Sequence, residues 1–300
     1  MAERTILITG AGGFLGGHVL RGLAERAEVS TVALARRPLT DPPGRVVQAV
    51  ALLAELTGET WSRLGVGRFD TAIHLAGFMP KRTDQGDVRQ RLAGSVDGTR
   101  RLLGSLKGIC GRMLLASSTD VYGEETGAPR ALTERSPAAP TTPYATAKLE
   151  CERLVAGTGD GWEPVILRCG QLYGPGDEEH AKLVPHTTRR LLSGLPPVVL
   201  GDGRAQRDLL YVADAAEAVV RAALARRCRV WSMSSRGGRT RSTTSSRRSA
   251  RSSATAVLST ASSPNATRPR SDSTTACCAR RWAPRSRCHS TMACAPRWRT

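Results

Sequence analysis

The sequence predicts an α/β fold, a doubly wound and mostly parallel sheet followed by a smaller region of looser pattern. Three observations carry this. Short apolar runs alternate with helically spaced segments along residues 5–168. A glycine-rich turn joins the first run to the first helix. Small residues recur just past the ends of the apolar runs, where such sheets hold their ligands.

Residues 5–9 are a short apolar run with β-branched Ile6 and Ile8, which reads as a buried strand. Leu15, Val19 and Leu23 then recur at helical spacing. Between them Gly10, Gly13 and Gly16 form a G-x-x-G-x-x-G turn. Glycine lets a backbone approach a ligand closely, and amides at a helix start favour a diphosphate. Gly10, Gly13, Phe14, Leu15 and Gly16 are therefore cofactor-binding candidates.

The second strand, residues 29–35, runs into Arg36 and Arg37. "VVQAVALLAEL" fits either a strand or a helix. Residues 71–75 form another strand, ending at Ala76 and Gly77. A helix is expected over 88–107, a strand over 113–117, a helix from Pro143 to Gly157 and a strand over 164–168. Beyond it the pattern loosens. "YGPGDEEH" reads as a loop, "AKLVPHTTRRLLSG" as a helix and "PPVVLGDG" as a short strand and turn. A strand over 209–212 then feeds an alanine-rich helix with Asp214 near its start. The expected organisation is a dinucleotide-binding domain over 1–168, a partial substrate-binding region over 169–229 and a basic tail over 230–300.

Of the 300 residues, 40% are apolar, enough for a sizeable core. No apolar run approaches a membrane span, so no membrane partner is expected. Glu3 and Arg4 lead straight into the first strand, so no signal peptide is expected and a cytoplasmic location is. The eight cysteines are scattered, and a chain of this size needs no disulfide scaffold. The net charge of +18 raises nucleic acid as a partner, but it divides unevenly. Residues 1–229 carry 30 Lys+Arg against 25 Asp+Glu, whereas residues 230–300 carry 14 against 1. The body is an ordinary soluble domain, and no specific nucleic-acid partner is expected.

Ser118, Tyr144 and Lys148 carry the strongest chemical signal. Tyr144 and Lys148 stand four apart on one helix and can reach one site. An ammonium near a phenol lowers the phenol's pKa and prepares it for proton exchange. Ser118, at a strand end on the same rim, can hydrogen-bond a reacting oxygen. Hydride chemistry at a carbinol carbon needs such a proton partner, with a nicotinamide as the hydride carrier.

The pieces "TGAGGFLG", "HLAG", "LLASSTDVYGE", "PYATAK", "LRCGQLYGPGD" and "GDGRAQRDLLYVADAAEAV" follow one another in order. Through them the chain resembles the extended short-chain dehydrogenase/reductases of the NAD(P)-dependent epimerase/dehydratase family. The resemblance implies a Rossmann fold and a nucleotide-sugar substrate. It implies Tyr144 as acid/base, Lys148 on the nicotinamide ribose, and Ser118 on the sugar hydroxyl or keto oxygen. Leu75, Ala76 and Gly77 would meet the cofactor, and Glu55 and Leu56 would lie against its adenine. Thr119, Gln171 and Arg207 would meet the substrate, Arg207 near its diphosphate. The helices that start near Val88 and Pro143 would pair with their copies in a homodimer.

Three departures from the family pattern matter. Thr119 and Asp120 stand where sugar-nucleotide 4,6-dehydratases usually carry an Asp-Glu pair, which counts against dehydration. Gln171 replaces a common Asn. Ser95 replaces the Asn of "NVxGT", which weakens a backbone support near Tyr144. No acid ends the second strand, so Arg36 and Arg37 favour NADP over NAD. The resulting expectation is a 4-epimerase-type oxidoreductase. The alternatives are an NADPH-dependent 4-ketoreductase, a non-catalytic NAD(P)-binding protein, and a nucleic-acid binder acting through the tail.

"WSMSSRGG" still resembles a family strand end, but the text beyond it changes character. Residues 230–300 hold 16 Ser and no Ile, Phe or Tyr, and no period survives. The segment is either a disordered basic tail or the product of a frame error in a GC-rich gene; the abruptness of the change favours the second. Cys277, Cys278, Cys288, His289 and Cys294 lack the spacing of a zinc site, so no metal is expected. His18 and His74 are expected to be structural, and Cys110, Cys151, Cys169 and Cys228 to be small buried side chains.

Overall fold

The computed structural model describes residues 3–225 except 82–83, 85, 124–131, 158–160, 178–181 and 200–205, together with 231–233 and 240–241. The expectations for Cys228 and for the rest of the tail, its cysteines included, lie outside the described residues. So does the second half of "PPVVLGDG"; its first half, residues 196–199, has no regular structure.

Seven parallel strands form the main sheet: β1 (Arg4–Thr9), β2 (Val29–Ala35), β3 (Val46–Val50), β4 (Thr71–His74), β5 (Arg112–Ser118), β6 (Glu163–Cys169) and β10 (Trp231–Met233). Their order is β10-β6-β5-β4-β1-β2-β3. The direction of winding reverses between β1 and β4, which opens a crevice beyond their carboxyl ends. The ambiguous segment resolves into β3, whose valines pair with β2 in parallel, followed by a 3-10 turn at Leu53–Glu55. The resemblance of "WSM" to a strand end is realised as β10, paired with β6.

Alternation along each strand builds two cores. Ile6, Ile8, Ala33, Ile73 and Leu114 face one side. There they meet α1 (Phe14–Ala24) and α6 (Val212–Leu224) through Val19, Leu23, Val219 and Val220. Leu7, Val32, Ala72, Met113 and Leu115 face the other side. There they meet α3 (Val88–Leu106) and α4 (Pro143–Ala156) through Val96, Leu102, Leu106 and Val155. The short α2 (Glu59–Arg63) adds Trp61, edge-on to Phe69 at 5.2 Å.

Local chemistry sets the helix starts. Asp87 accepts from the Gln90 amide at 3.1 Å and opens α3. Thr142 accepts from the Ala145 amide at 3.1 Å, with Pro143 in the first turn, and opens α4. Asp214 lies in the first turn of α6 behind the N-cap Tyr211. Beyond β6 the chain also forms α5 (Leu183–Leu192) and two small sheets. In one, β7 (Gln171–Tyr173), whose last residue opens the segment expected as loop, pairs in parallel with β9 (Leu209–Tyr211). In the other, β8 (Gln206–Arg207) pairs antiparallel with β11 (Thr240–Arg241).

Arginines hold the far end of α6 against the sheet. Buried Arg112 donates to the carbonyls of Ala222 at 3.1 Å, Ala223 at 3.2 Å and Ala225, and pairs with Glu163 at 2.6 Å. Arg4 adds a bond to the Leu224 carbonyl at 2.7 Å. Cations suit a helix carboxyl end, where carbonyls lack partners. Arg112→Met is expected to lower stability by about 1–3 kcal/mol, because the buried carbonyls of Ala222 and Ala225 lose the guanidinium that donates to them. The shift of the urea midpoint measures this.

Candidate active site

The glycine turn is a cradle that side chains would fill. Gly10 has φ +72°, and a Cβ there would stand 2.7 Å from the Ala76 nitrogen. A Cβ on Gly16 would stand 2.1 Å from the Gly10 carbonyl oxygen. Gly13 is the N-cap of α1, extended and without a side-chain cap. The turn thus presents bare backbone at the mouth of the crevice, which suits a dinucleotide diphosphate. Phe14 and Leu15 follow in the first turn of α1, both half-buried. Arg36 and Arg37 follow β2 directly and are exposed; among the described residues no carboxylate pairs with either.

The residues proposed for the adenine are not brought to this rim. The Glu55 carboxylate folds back to accept from the Leu52 amide at 3.0 Å. Leu56, 4% exposed, is packed in the core with Trp61 and Phe69. The first residues beyond β3 are Ala51 and Leu52, and Leu52 is exposed. The 3-10 turn, invisible to strand–helix periodicity, accounts for the offset.

On the other side of the crevice Ser118 ends β5 and Tyr144 enters the first turn of α4. Ser118 lies near the phenol, whose charged form it favours, and its oxygen accepts from the Asp120 amide at 3.2 Å. Lys148, one turn further along α4, donates to the Ala116 carbonyl at 3.0 Å. Its Nζ lies 5.9 Å from the Tyr144 ring centroid. Burial pushes the phenol above its ordinary pKa, with the Asp120 carboxylate adding to the rise, and burial pulls the ammonium below its own. The expected lowering of the phenol pKa by Lys148 is corrected here. The ammonium is turned to a carbonyl, and desolvation disfavours both charged forms.

Thr119 donates to the Cys169 carbonyl at 3.3 Å, while Asp120 is exposed. Gln171 is half-buried in β7, its amide bonded to the Asp208 carbonyl at 3.0 Å. Arg207 is exposed in β8. Below them, Glu152 of α4 and Arg168 of β6 form a buried pair at 2.6 and 2.9 Å, with the guanidinium over the Tyr122 ring at 4.7 Å. The carboxylate holds Arg168 firmly charged. The pair clamps α4 to the sheet.

A pocket between α3 and α4 joins Ala76, Gly77, Phe78, Tyr144, Lys148 and Cys151. Leu75 bonds back to the Thr9 carbonyl at 3.2 Å. Phe78 escaped sequence reasoning; an aromatic directly after "HLAG" was its signal. Ser95 is not a lost support: its hydroxyl accepts from the Phe78 amide at 2.9 Å and donates to the Arg91 carbonyl at 3.2 Å.

His74, 1% exposed, closes the floor between the Thr9 and Thr99 hydroxyls. Burial, with the Lys148 charge second, lowers its pKa from 6.5 to about 3. The folded state therefore refuses a proton that the unfolded chain takes up below pH 6.5. The contribution of this group to stability is complete above pH 6.5 and is lost progressively towards pH 3. Urea unfolding between pH 4 and 7.5 should show this slope, and His74→Asn should reduce it.

Bare glycine cradle, topological crevice and the Ser118–Tyr144–Lys148 set define a dinucleotide-dependent oxidoreductase of the Rossmann class. The chain belongs to the NAD dependent epimerase/dehydratase family, whose model matches residues 6–230. Its dinucleotide is accordingly NAD or NADP. It is 30% identical over 227 residues to a dTDP-glucose 4,6-dehydratase of Actinoplanes sp., covering 70% of this chain and 69% of that protein. It is 31% identical over 231 residues to a GDP-6-deoxy-D-mannose reductase of Pseudomonas aeruginosa, covering 74% and 70%. The structure of MoeE5 in complex with UDP-glucuronic acid and NAD is similar at TM-score 0.68 and 29% identity, covering 79% and 78%. Among the described residues, no helix is long and apolar enough to cross a membrane, and no cluster of three or more His, Cys, Asp or Glu could hold a metal.

Proposed function

We propose that the protein is a nucleotide-sugar 4-epimerase-type oxidoreductase. The observation that carries this reading is a pocket lined by Ala76, Gly77, Tyr144 and Lys148, the last two one turn apart on α4, with Ser118 at the end of β5. The relatives bearing on the substrate are named for sugars linked to dTDP, GDP and UDP. Gly10, Gly13 and Gly16 would hold the diphosphate of the dinucleotide, and Ala76 and Gly77 its nicotinamide half. The bound nicotinamide supplies the hydride acceptor and donor. Tyr144 accepts the proton of the sugar hydroxyl and returns it, Ser118 orients that oxygen, and Lys148 holds the ribose. Gln171 and Arg207 would meet the nucleotide sugar, the guanidinium suiting its diphosphate. Thr119, a neutral side chain bonded to a carbonyl, offers no acid for dehydration.

The exposed Arg36 and Arg37 favour a second reading, an NADPH-dependent 4-ketoreductase. A homodimer through α3 and α4 accompanies either reading, and sedimentation at micromolar concentration tests it. Inversion of a UDP-, dTDP- or GDP-linked hexose without net consumption of dinucleotide supports the epimerase; stoichiometric NADPH oxidation by a 4-keto sugar supports the reductase.

Tyr144→Phe keeps the ring and removes the proton carrier. Turnover should fall by about 10²–10⁴-fold with little change in dinucleotide affinity. Lys148→Ala should damage both. Full activity in Tyr144→Phe would falsify the mechanism. Arg36→Ala separates cofactor choice from chemistry. It should weaken NADPH binding by about tenfold and leave NADH binding within about twofold, as read by paired fluorescence titrations.

A further inference from the structure

With the Thr99 hydrogen assigned to the Ser95 carbonyl, rather than to Cys151 Sγ at 3.4 Å or to the His74 ring, the hydroxyls around His74 have one consistent arrangement of hydrogens. Thr99 has a single hydroxyl hydrogen, and it goes to the Ser95 carbonyl at 2.9 Å. The Thr99 oxygen must therefore accept from His74 Nε2 at 3.0 Å, which places the ring hydrogen on Nε2. In the neutral ring Nδ1 is then bare, and it accepts the Thr9 hydroxyl at 2.7 Å. The Thr9 oxygen in turn accepts from the Ala76 amide at 3.3 Å. One directed chain thus runs from the Ala76 amide through Thr9, His74 and Thr99 to the Ser95 carbonyl. The Ser95 side chain extends it to the Phe78 amide at 2.9 Å.

Both ends of the chain grip the same short loop, Ala76 and Phe78 on either side of Gly77. Ala76 is the backbone against which Gly10 packs too closely for any side chain. A Cβ on Gly77 would lie 3.6 Å from the Lys148 ammonium. The loop is therefore the floor shared by the glycine turn and by the lysine.

We propose that Thr9, His74, Thr99 and Ser95 form a positioning network that fixes the Ala76–Gly77–Phe78 loop as a rigid floor for the dinucleotide. The network rests on the dinucleotide-binding part of the reading above. None of the four touches reacting atoms; they act through the loop. The side chains of Thr9, His74 and Thr99 come from β1, β4 and α3, so the network also ties together the two strands that bound the crevice. A network complete in both donors and acceptors holds its backbone more firmly than a partly satisfied one.

Thr9→Val tests this with nearly unchanged volume, since it removes the hydroxyl that serves both His74 and Ala76. NAD⁺ and NADP⁺ binding is read by titration calorimetry, and the Ala76 amide by native-state hydrogen exchange. Thr9→Val should weaken the preferred dinucleotide by about tenfold and speed exchange at Ala76, and Thr9→Ser should restore both. A purely structural role would lower the melting temperature without moving affinity, and that result overturns the proposal. If Thr9→Val does not fold, Ser95→Ala on half-exposed α3 carries the test. It should weaken the same dinucleotide by about threefold and speed exchange at Phe78, and no change in affinity overturns the proposal. A wild-type chain that binds neither NAD⁺ nor NADP⁺ overturns the dinucleotide reading and the network with it. Wild-type binding with an indifferent variant overturns the network alone.

Discussion

The backbone of Gly10 lies against that of Ala76, and the rest of the site depends on that contact. It joins the carboxyl ends of β1 and β4, the two central strands between which the sheet reverses its winding. Any side chain at Gly10 would push these ends apart. Gly16 repeats the constraint one helical turn on, because α1 can leave the sheet at this angle only if it passes over the Gly10 carbonyl. The crevice, the open start of α1 and the position of the loop under Lys148 all follow from two residues without Cβ atoms.

Burial decides the charge states around that crevice. His74 is fully enclosed and stays neutral; protonating it would bury a second cation within reach of the Lys148 ammonium. Tyr144 and Lys148 are each pushed towards their neutral forms by the same desolvation. Arg168 shows the opposite outcome, since the Glu152 carboxylate meets it with two hydrogen bonds inside the core. Helix α4 therefore has two electrostatic jobs. Its Glu152 is spent on fixing the helix to β6, and that leaves Tyr144 and Lys148 to face the crevice.

The central strands and helices were legible because their signals are local and periodic. β1, β2, β4, β5 and β6 are apolar runs buried on both faces, α3 shows apolar residues at helical spacing from Val88 onwards, and α4 announces its start through Pro143. Elements shorter than a period were not legible. The 3-10 turn at Leu53–Glu55 puts Leu56 into the core, and β7 is only three residues held by a partner nearly forty positions away. The same limit holds for the site. Spacing puts Tyr144 and Lys148 on one helix within reach of each other, but the direction of the Lys148 ammonium was not legible, because it depends on the Ala116 carbonyl of a neighbouring strand. The grip of Ser95 on Phe78 is likewise a tertiary fact.

Thr119 shows how a single side chain bears on the choice of chemistry within such a frame. It sits one residue past Ser118, at the turn where β5 gives way to a 3-10 turn ending at buried Tyr122. Its hydroxyl is drawn inward to the Cys169 carbonyl, the last residue of β6. A carboxylate there would face that carbonyl oxygen without a hydrogen to give, and would repel it unless protonated. The turn as built therefore prefers a neutral donor. The only acid it carries, Asp120, is directed to solvent, where its charge reaches Tyr144 through space and further disfavours the phenolate. Under the 4-epimerase reading proposed above, proton exchange at one oxygen falls to Tyr144, and position 119 carries no acid.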